Sequence, residues 1–388
     1  MLLKLPHKQA LVILLVVVAA IVTVVQVHSS DTPEASATVN DASIELKAPL
    51  SNDLSVIRDP VRAQVQEQLP FIDTVSDPLT LPTQRSLRVV LDWYVTPYHA
   101  PLIVARERDL FDQENLDVTL ITPADPSVAP KLVAARRAEL ALTSQLQLHL
   151  LVKRSLPLVR VGALVPVPLA TLLTRQDTGI EQLSQLKGKT VGYVHEGSAR
   201  IWLDAMLKDQ STSLSDITLQ HVDFALIAAL TNKEVDAVIG TMRHVDRRQL
   251  AQQGIVVNEF MVDESELPAY DELVVVANRD LLSRHRRDIE RFFSAVEKAT
   301  LWLINHPEQG WELVRTAEPG IDTPANARAW PEVLRYLALR PIALQRQRYQ
   351  QLETYLLRRG LIETATSTRR LAVDIDGELL QNDASPQG

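Results

Sequence analysis

The sequence predicts an α/β protein of two lobes with a ligand cleft between them, preceded by an N-terminal membrane helix. Three observations carry this. From residue 87 onward, short β-branched apolar runs alternate with stretches of helical period. Two of those runs, Ala170–Thr174 and Glu272–Ala277, flank a middle block of roughly 100 residues, as paired crossings between two lobes would. Before all of this lies an almost unbroken apolar run at residues 10–27.

That first run follows Lys4 and Lys8, and only Thr23 and Gln26 interrupt it. It is long for a signal-peptide core and about long enough to span a bilayer. The positive flank predicts residues 1–9 in the cytoplasm and the remainder outside. An uncleaved anchor is expected, with Val27-His28-Ser29 and Ala35-Ser36-Ala37 as alternative cleavage sites. Residues 28–86 are rich in Ser, Thr, Asp, Ala and Pro without a sustained apolar period, and read as a flexible spacer. Such a spacer has an end-to-end reach of roughly 40–45 Å.

Strands are expected at Arg88–Trp93, Asp117–Thr122, Leu140–Thr143, Val159–Val165, Ala170–Thr174, Thr190–Tyr193, Thr218–His221, Ala237–Gly240, Val256–Phe260 and Glu272–Ala277. Helices are expected at Leu102–Phe111, Pro130–Arg137, Gln145–Lys153, Ser198–Lys208, Ala225–Asn232 and Arg243–Gln253, and later at Arg287–His306 and Pro341–Arg359. Alternation of this kind predicts parallel-type sheets. If both flanking strands cross, lobe 1 is 87–174 with 275–361, lobe 2 is 175–274, and 362–388 is a tail.

Composition excludes several classes of function. The net charge of −8 argues against a nucleic-acid partner. The chain has no cysteine, which removes disulfides, thiolate metal sites, cysteine nucleophiles and a lipid-modified cysteine. Its nine histidines show no metal-ligand spacing. Gly-x-Ser-x-Gly, Walker and dinucleotide motifs are all missing. No metal, cofactor or catalytic residue is therefore expected, and the chain reads as a binding protein, not an enzyme.

The candidate site starts where the first strand ends. Residues 88–101 finish that strand in Asp92, Trp93, Tyr94, Thr96, Tyr98 and His99, just before Pro101 opens a helix. Strand ends facing helix N-termini are where open α/β sheets bind ligands. Trp93 and Tyr94 offer flat faces for a heterocycle, although either alone is as well a core aromatic. Thr143, Ser144 and Gln145 follow a strand and open a helix; Ser144 equally suits a plain N-cap. His195, Glu196, Gly197 and Ser198 form the matching turn in the second lobe. Arg243 stands at a further helix start and could meet an anionic group or sit on a solvated face. Tyr270 and Glu272 lie at the return crossing, where a carboxylate could accept from a ligand N–H or simply cap a strand. Asp125, in Pro-Ala-Asp-Pro, reads as a turn former.

Several runs carry a family resemblance: Leu91-Asp92-Trp93-Tyr94 with His99-Ala100-Pro101, Ile121 to Pro126, Lys131 to Ala135, Val161 to Val165, Leu186 to Lys189, Asp236 to Gly240, and Tyr270 to Val274. Over Leu91 to about Leu361 the chain resembles the periplasmic substrate-binding proteins of ABC importers. Within them it is most similar to the branch that binds the pyrimidine precursor of thiamine, related to the fungal pyrimidine synthases. The resemblance implies a type II-like two-lobe fold, a small heteroaromatic solute, an ABC permease as membrane partner, and a periplasmic or extracytoplasmic location. It departs from the family pattern at Val95 and Thr96, where Pro and Asn are usual, and at Thr143-Ser144-Gln145. The synthases use an iron site with a cysteine-rich motif, which this chain lacks. A membrane-tethered ligand sensor or scaffold is the alternative.

Overall fold

The first strand, β1 (Arg85–Val90), shows how the apolar runs are used. Its inner residues Leu87, Val89 and Val90 are fully buried, while Arg85, Ser86 and Arg88 face outward. From Ser86 to Val89 this is the period of two of a strand, and Val90 is buried as the strand enters the interior. The structure is a computed structural model and describes residues 84–375. The expected membrane segment 10–27, the segment before it, nearly all of the spacer and the last 13 residues of the tail lie outside the described residues. Among the described residues, no helix is long and apolar enough to cross a membrane.

Among the described residues, ten strands form two five-stranded sheets. The first uses β1, β2 (Leu116–Ile121), β3 (Leu140–Thr143), β4 (Leu158–Val165) and β10 (Leu273–Asn278), in the order β2-β1-β3-β10-β4. The second uses β5 (Ala170–Arg175), β6 (Thr190–Tyr193), β7 (Thr218–His221), β8 (Ala237–Met242) and β9 (Val257–Met261), in the order β7-β6-β8-β5-β9.

Both sheets are mixed, where the alternation predicts parallel ones. In the first, β10 runs antiparallel to β3 and β4, with Val275 opposite Leu142 and Gly162. In the second, β5 runs antiparallel to β8 and β9, with Leu172 opposite Ile239 and Phe260. The reason lies in burial. Leu273 to Ala277 are all buried, and a strand covered on both faces is continuously apolar whichever way it runs. Direction is set by the crossing, and composition does not report it.

Helices differ from expectation mainly at their ends. The helix expected at Leu102–Phe111 is two helices, Ala100–Glu107 and Leu110–Gln113, because Asp109 takes a left-handed conformation between them (φ 55°). Pro97 opens a 3₁₀ turn, Pro97–His99, that runs into the first of these. The helix after β8 is Asp246–Gln252, so Arg243 precedes it instead of opening it. The helix after β6 begins two residues early, at Glu196. The long C-terminal helices are Leu282–Asn305 and Arg346–Arg358, and Gln145–Lys153 matches expectation.

The main core lies between the first sheet and Leu282–Asn305, where Phe111 and Phe292 stack at 5.4 Å and Phe293 is 1% exposed. Gly162 in β4 makes room for that ring, since a Cβ there would stand 2.0 Å from Phe293 Cζ. Burial of one such ring contributes about 1.5–3 kcal/mol. A second core surrounds Leu172, Val191, Leu203 and Ile239 of the other sheet. The helix Arg346–Arg358 joins the two halves, with Tyr349 packed beneath the first sheet and Leu352, Tyr355 and Leu356 in the core of the second.

Candidate functional site

The chain passes between the sheets after β4 and again before β10, and one side chain ties these two passages together. Glu272 Oε2 accepts the backbone N–H of Leu169 at 2.7 Å and of Ala170 at 3.0 Å. It also accepts the Tyr270 hydroxyl at 3.2 Å, and that hydroxyl takes the Trp202 indole N–H at 2.9 Å. Burial raises the Glu272 carboxyl above the usual carboxylate range, while the two backbone donors oppose the shift. Tyr270 is fully buried behind this bond and does not reach the cavity. Among the described residues, Glu272 Oε1 has no donor.

Above Glu272 the sheets enclose a cavity of about 770 Å³. It opens at one edge of both sheets. The parallel strands β1, β3, β6, β7 and β8 deliver their C-terminal ends there, and β5 and β10 enter at the same edge. This is the crevice position at which α/β sheets hold ligands. From the first sheet come Asp92, Trp93, Tyr94, Thr96, Thr143 and Ser144. From the second come His195, Trp202, Phe224, Thr241 and Asp246, and Asn326 reaches in from the helix Pro324–Tyr336.

The end of β1 is a locked structure. Thr96 donates its backbone N–H to His99 Nδ1 at 2.9 Å, so the neutral ring carries its proton on Nε2. That nitrogen lies 2.9 Å from Asp92 Oδ1 and donates to it. His99 is wholly buried and supports Asp92 from behind without lining the cavity. Trp93 packs edge-to-face on Phe224 at 4.5 Å, and Tyr94 lies 5.4 Å from Trp93 and 6.2 Å from Phe224. Three rings from opposite sheets thus meet at the mouth, and Tyr94 remains 47% exposed.

The turn after β6 behaves differently. His195 lines the cavity, and burial pushes its imidazole down to about 4, against the pull of Asp92 and Asp125. It is neutral at pH 7. Glu196 points to solvent and pairs with Arg200 at 2.8 Å. Gly197 packs against the neighbouring helix, where a Cβ would stand 2.3 Å from Leu150 Cδ1. Ser198 is buried outside the cavity lining.

Three other expected residues also turn away. Gln145 accepts the Asp271 N–H at 2.8 Å and donates its own backbone N–H to the Asp271 carbonyl, which fastens its helix to the return crossing. Ser144 caps that helix by accepting the Gln147 N–H at 3.1 Å while its residue still borders the cavity. Arg243 lies behind the wall, paired with Asp263. Asp125 accepts the Ser127 N–H at 2.7 Å, as a turn former does.

Sequence reasoning passed over Phe224, Trp202, Asp246 and Asn326. Phe224 and Asp246 each follow a strand end, and the rule that singled out Trp93 would have found them. Asp246 receives the Met242 N–H at 2.6 Å, and burial pushes its carboxyl up to about 6. Trp202 reads as an ordinary helix core residue, and nothing near Asn326 signals a site.

Two mixed sheets joined by a double crossing, with a cavity across their shared edge, make a periplasmic-binding-protein-like α/β fold. The same architecture is found in the periplasmic aliphatic sulphonate-binding protein of Escherichia coli, with a TM-score of 0.58, 17% identity, and coverage of 74% of this chain and 91% of that one. More particularly, the chain belongs to the NMT1/THI5-like family, whose model matches residues 96–310.

It is 39% identical over 304 residues to a Haemophilus influenzae protein named for thiamine biosynthesis, covering 77% of this chain and 95% of that one. It is 28% identical over 252 residues to the formylaminopyrimidine-binding protein of Halalkalibacterium halodurans, covering 65% and 76%. A third relative overturns the expectation of a chain that is not an enzyme. It is the 4-amino-5-hydroxymethyl-2-methylpyrimidine phosphate synthase of Aspergillus parasiticus, 26% identical over 259 residues, covering 64% and 75%. The chain's kin include enzymes.

Proposed function

We propose that the chain captures an amino-substituted pyrimidine in this cavity by closure of two lobes and presents it to a membrane permease. The lobes are those read from the sequence, 87–174 with 275–361 and 175–274. The observation that carries the reading is the joint presence, in one cavity, of rings from both sheets and of two fixed carboxylates. A T-shaped pair such as Trp93 and Phe224 occupies only one face of one ring, which leaves flat surface for a heterocycle. Asp92 and Glu272 supply acceptors for ring-amino and N–H donors. Thr96, Thr143 and His195 add polar edges. The relative named for formylaminopyrimidine binding supports the same ligand class.

A ligand touching both sheets favours the closed arrangement by its differential affinity for that state. An extracytoplasmic location accords with the periplasmic sulphonate-binding structural relative, and in this reading residues 10–27 are the tether. The test is calorimetric titration of the purified chain with hydroxymethyl- and formylamino-pyrimidines, followed by chromatography of the recovered ligand. Saturable binding with ligand returned intact is the expected result. Chemical conversion of the ligand would replace capture with catalysis, and failure of every pyrimidine to bind would remove the reading.

A further inference from the structure

The electrostatics of the cavity go one step further and rest on the ligand site proposed above. Three carboxylates line it: Asp92 and Glu272 on the first-sheet side and Asp246 on the second. Among the described residues that line it, none is lysine or arginine. The single histidine, His195, is held neutral by burial.

The cations nearest the wall are already engaged. Arg243 pairs with Asp263, Arg248 lies 2.8 Å from Glu332, and Lys131 at the rim donates to Ser127 beside Asp125. Helix N-termini are the other common anion sites. Here the Ser144 hydroxyl caps one by accepting the Gln147 N–H, the Thr323 hydroxyl caps that of Pro324–Tyr336 by accepting the Asn326 N–H, and Glu196 places a negative charge in the first turn of a third. These cations and helix N-termini are thus engaged or opposed. The aromatic faces of Trp93, Tyr94 and Phe224 at the mouth instead suit a cation.

We infer that the cavity selects ligands with no anionic group: neutral or cationic amine-bearing heterocycles enter, and their phosphate esters, along with sulfonates, are rejected. The inference separates this chain from the sulphonate binder whose architecture it shares and from the phosphorylated product in the synthase's name. Asp246 is its specificity residue. It stands across the cavity from Asp92 and Glu272, so an anion leaving one carboxylate meets another.

Matched ligand pairs provide the test. The full chain is titrated at pH 7.5 with 4-amino-5-hydroxymethyl-2-methylpyrimidine and its phosphate ester, with thiamine and its monophosphate, and with other amino-heterocycles and alkanesulfonates. Each phosphate ester should bind at least about 100-fold more weakly than its parent, the scale of a like-charge juxtaposition. Asp246→Asn keeps an acceptor for the Met242 N–H and should narrow that gap severalfold. If no pyrimidine binds but other uncharged or cationic amines do and the anions do not, the pyrimidine reading fails and the charge rule stands. Binding of any phosphate ester within tenfold of its parent, or of any alkanesulfonate as the preferred ligand, overturns the rule. So does failure of the whole neutral and cationic set.

Discussion

Two strand-to-helix turns face each other across the cavity, and they are built on opposite plans. The turn after β1 commits Asp92, Trp93, Tyr94 and Thr96 to the cavity and places His99 behind them as support. The turn after β6 commits Val194 and His195, because its helix presents Gly197 to Leu150 and Glu196 to solvent. Position at a strand end makes a residue available to a site. What packs behind the turn decides whether its side chain goes there.

The sharpest way to break this comparison is to remove the ring that dominates the first turn. Trp93→Ala should weaken binding of the preferred heterocycle about 100-fold by titration, from lost stacking and burial of about 2–3 kcal/mol. Equal binding by wild type and variant would dissolve the contrast. Next, His99→Ala leaves the Thr96 N–H and the Asp92 carboxylate without their buried partner. A loss of about 1–3 kcal/mol in unfolding free energy, read from denaturant titration, is expected, together with weaker ligand binding. His195→Ala, which breaks no hydrogen bond among the described residues, should leave stability nearly unchanged at pH 7.

A pH series sharpens the comparison further. The His195 pKa is lowered in the fold, so the unfolded chain takes up its proton first, and stability falls as pH drops from about 6.5 to about 4. Asp246 is raised to about 6, so its burial penalty grows as pH rises from about 4 to about 6 and is complete above that. Asp246→Asn should accordingly raise Tm at pH 8 and lose that gain near pH 4, while His195→Ala should flatten the acid limb. The reverse pattern in either variant would show the group in a different environment. The smallest effect belongs to Glu196→Gln. An exposed i,i+4 pair contributes about 0.3–0.5 kcal/mol, and ligand affinity should stay within twofold.

The same contrast explains what the sequence made legible. Residues 92–99 are contiguous and carry rings, acid and imidazole in one run, so the eye finds them. Phe224 and Asp246 are single residues in two separate turns, which only the strand-end rule, applied to every strand, would pick out. Gln145, Ser198 and Tyr270 illustrate the opposite error. Each stands at an element end near the cavity, yet sequence spacing gives height along a helix or strand without the packing that fixes which way the residue faces. In the fold, Leu140–Thr143, Thr190–Tyr193 and Thr218–His221 were readable to the residue because turn-forming residues bound them. The antiparallel insertion of β10 was not, because Leu273-Val274-Val275-Val276-Ala277 has the same composition in either direction.

The bond from Glu272 to Leu169 and Ala170 has a mechanical consequence. In any rotation of one sheet against the other about the two crossings, an atom moves in proportion to its distance from that axis. On the proposed closure, Glu272 beside the crossings would move little, whereas Tyr94 and Phe224 at the mouth would move further. A guest held by Glu272 would then be oriented before the lobes closed, and its release would depend on how firmly the rings at the mouth met.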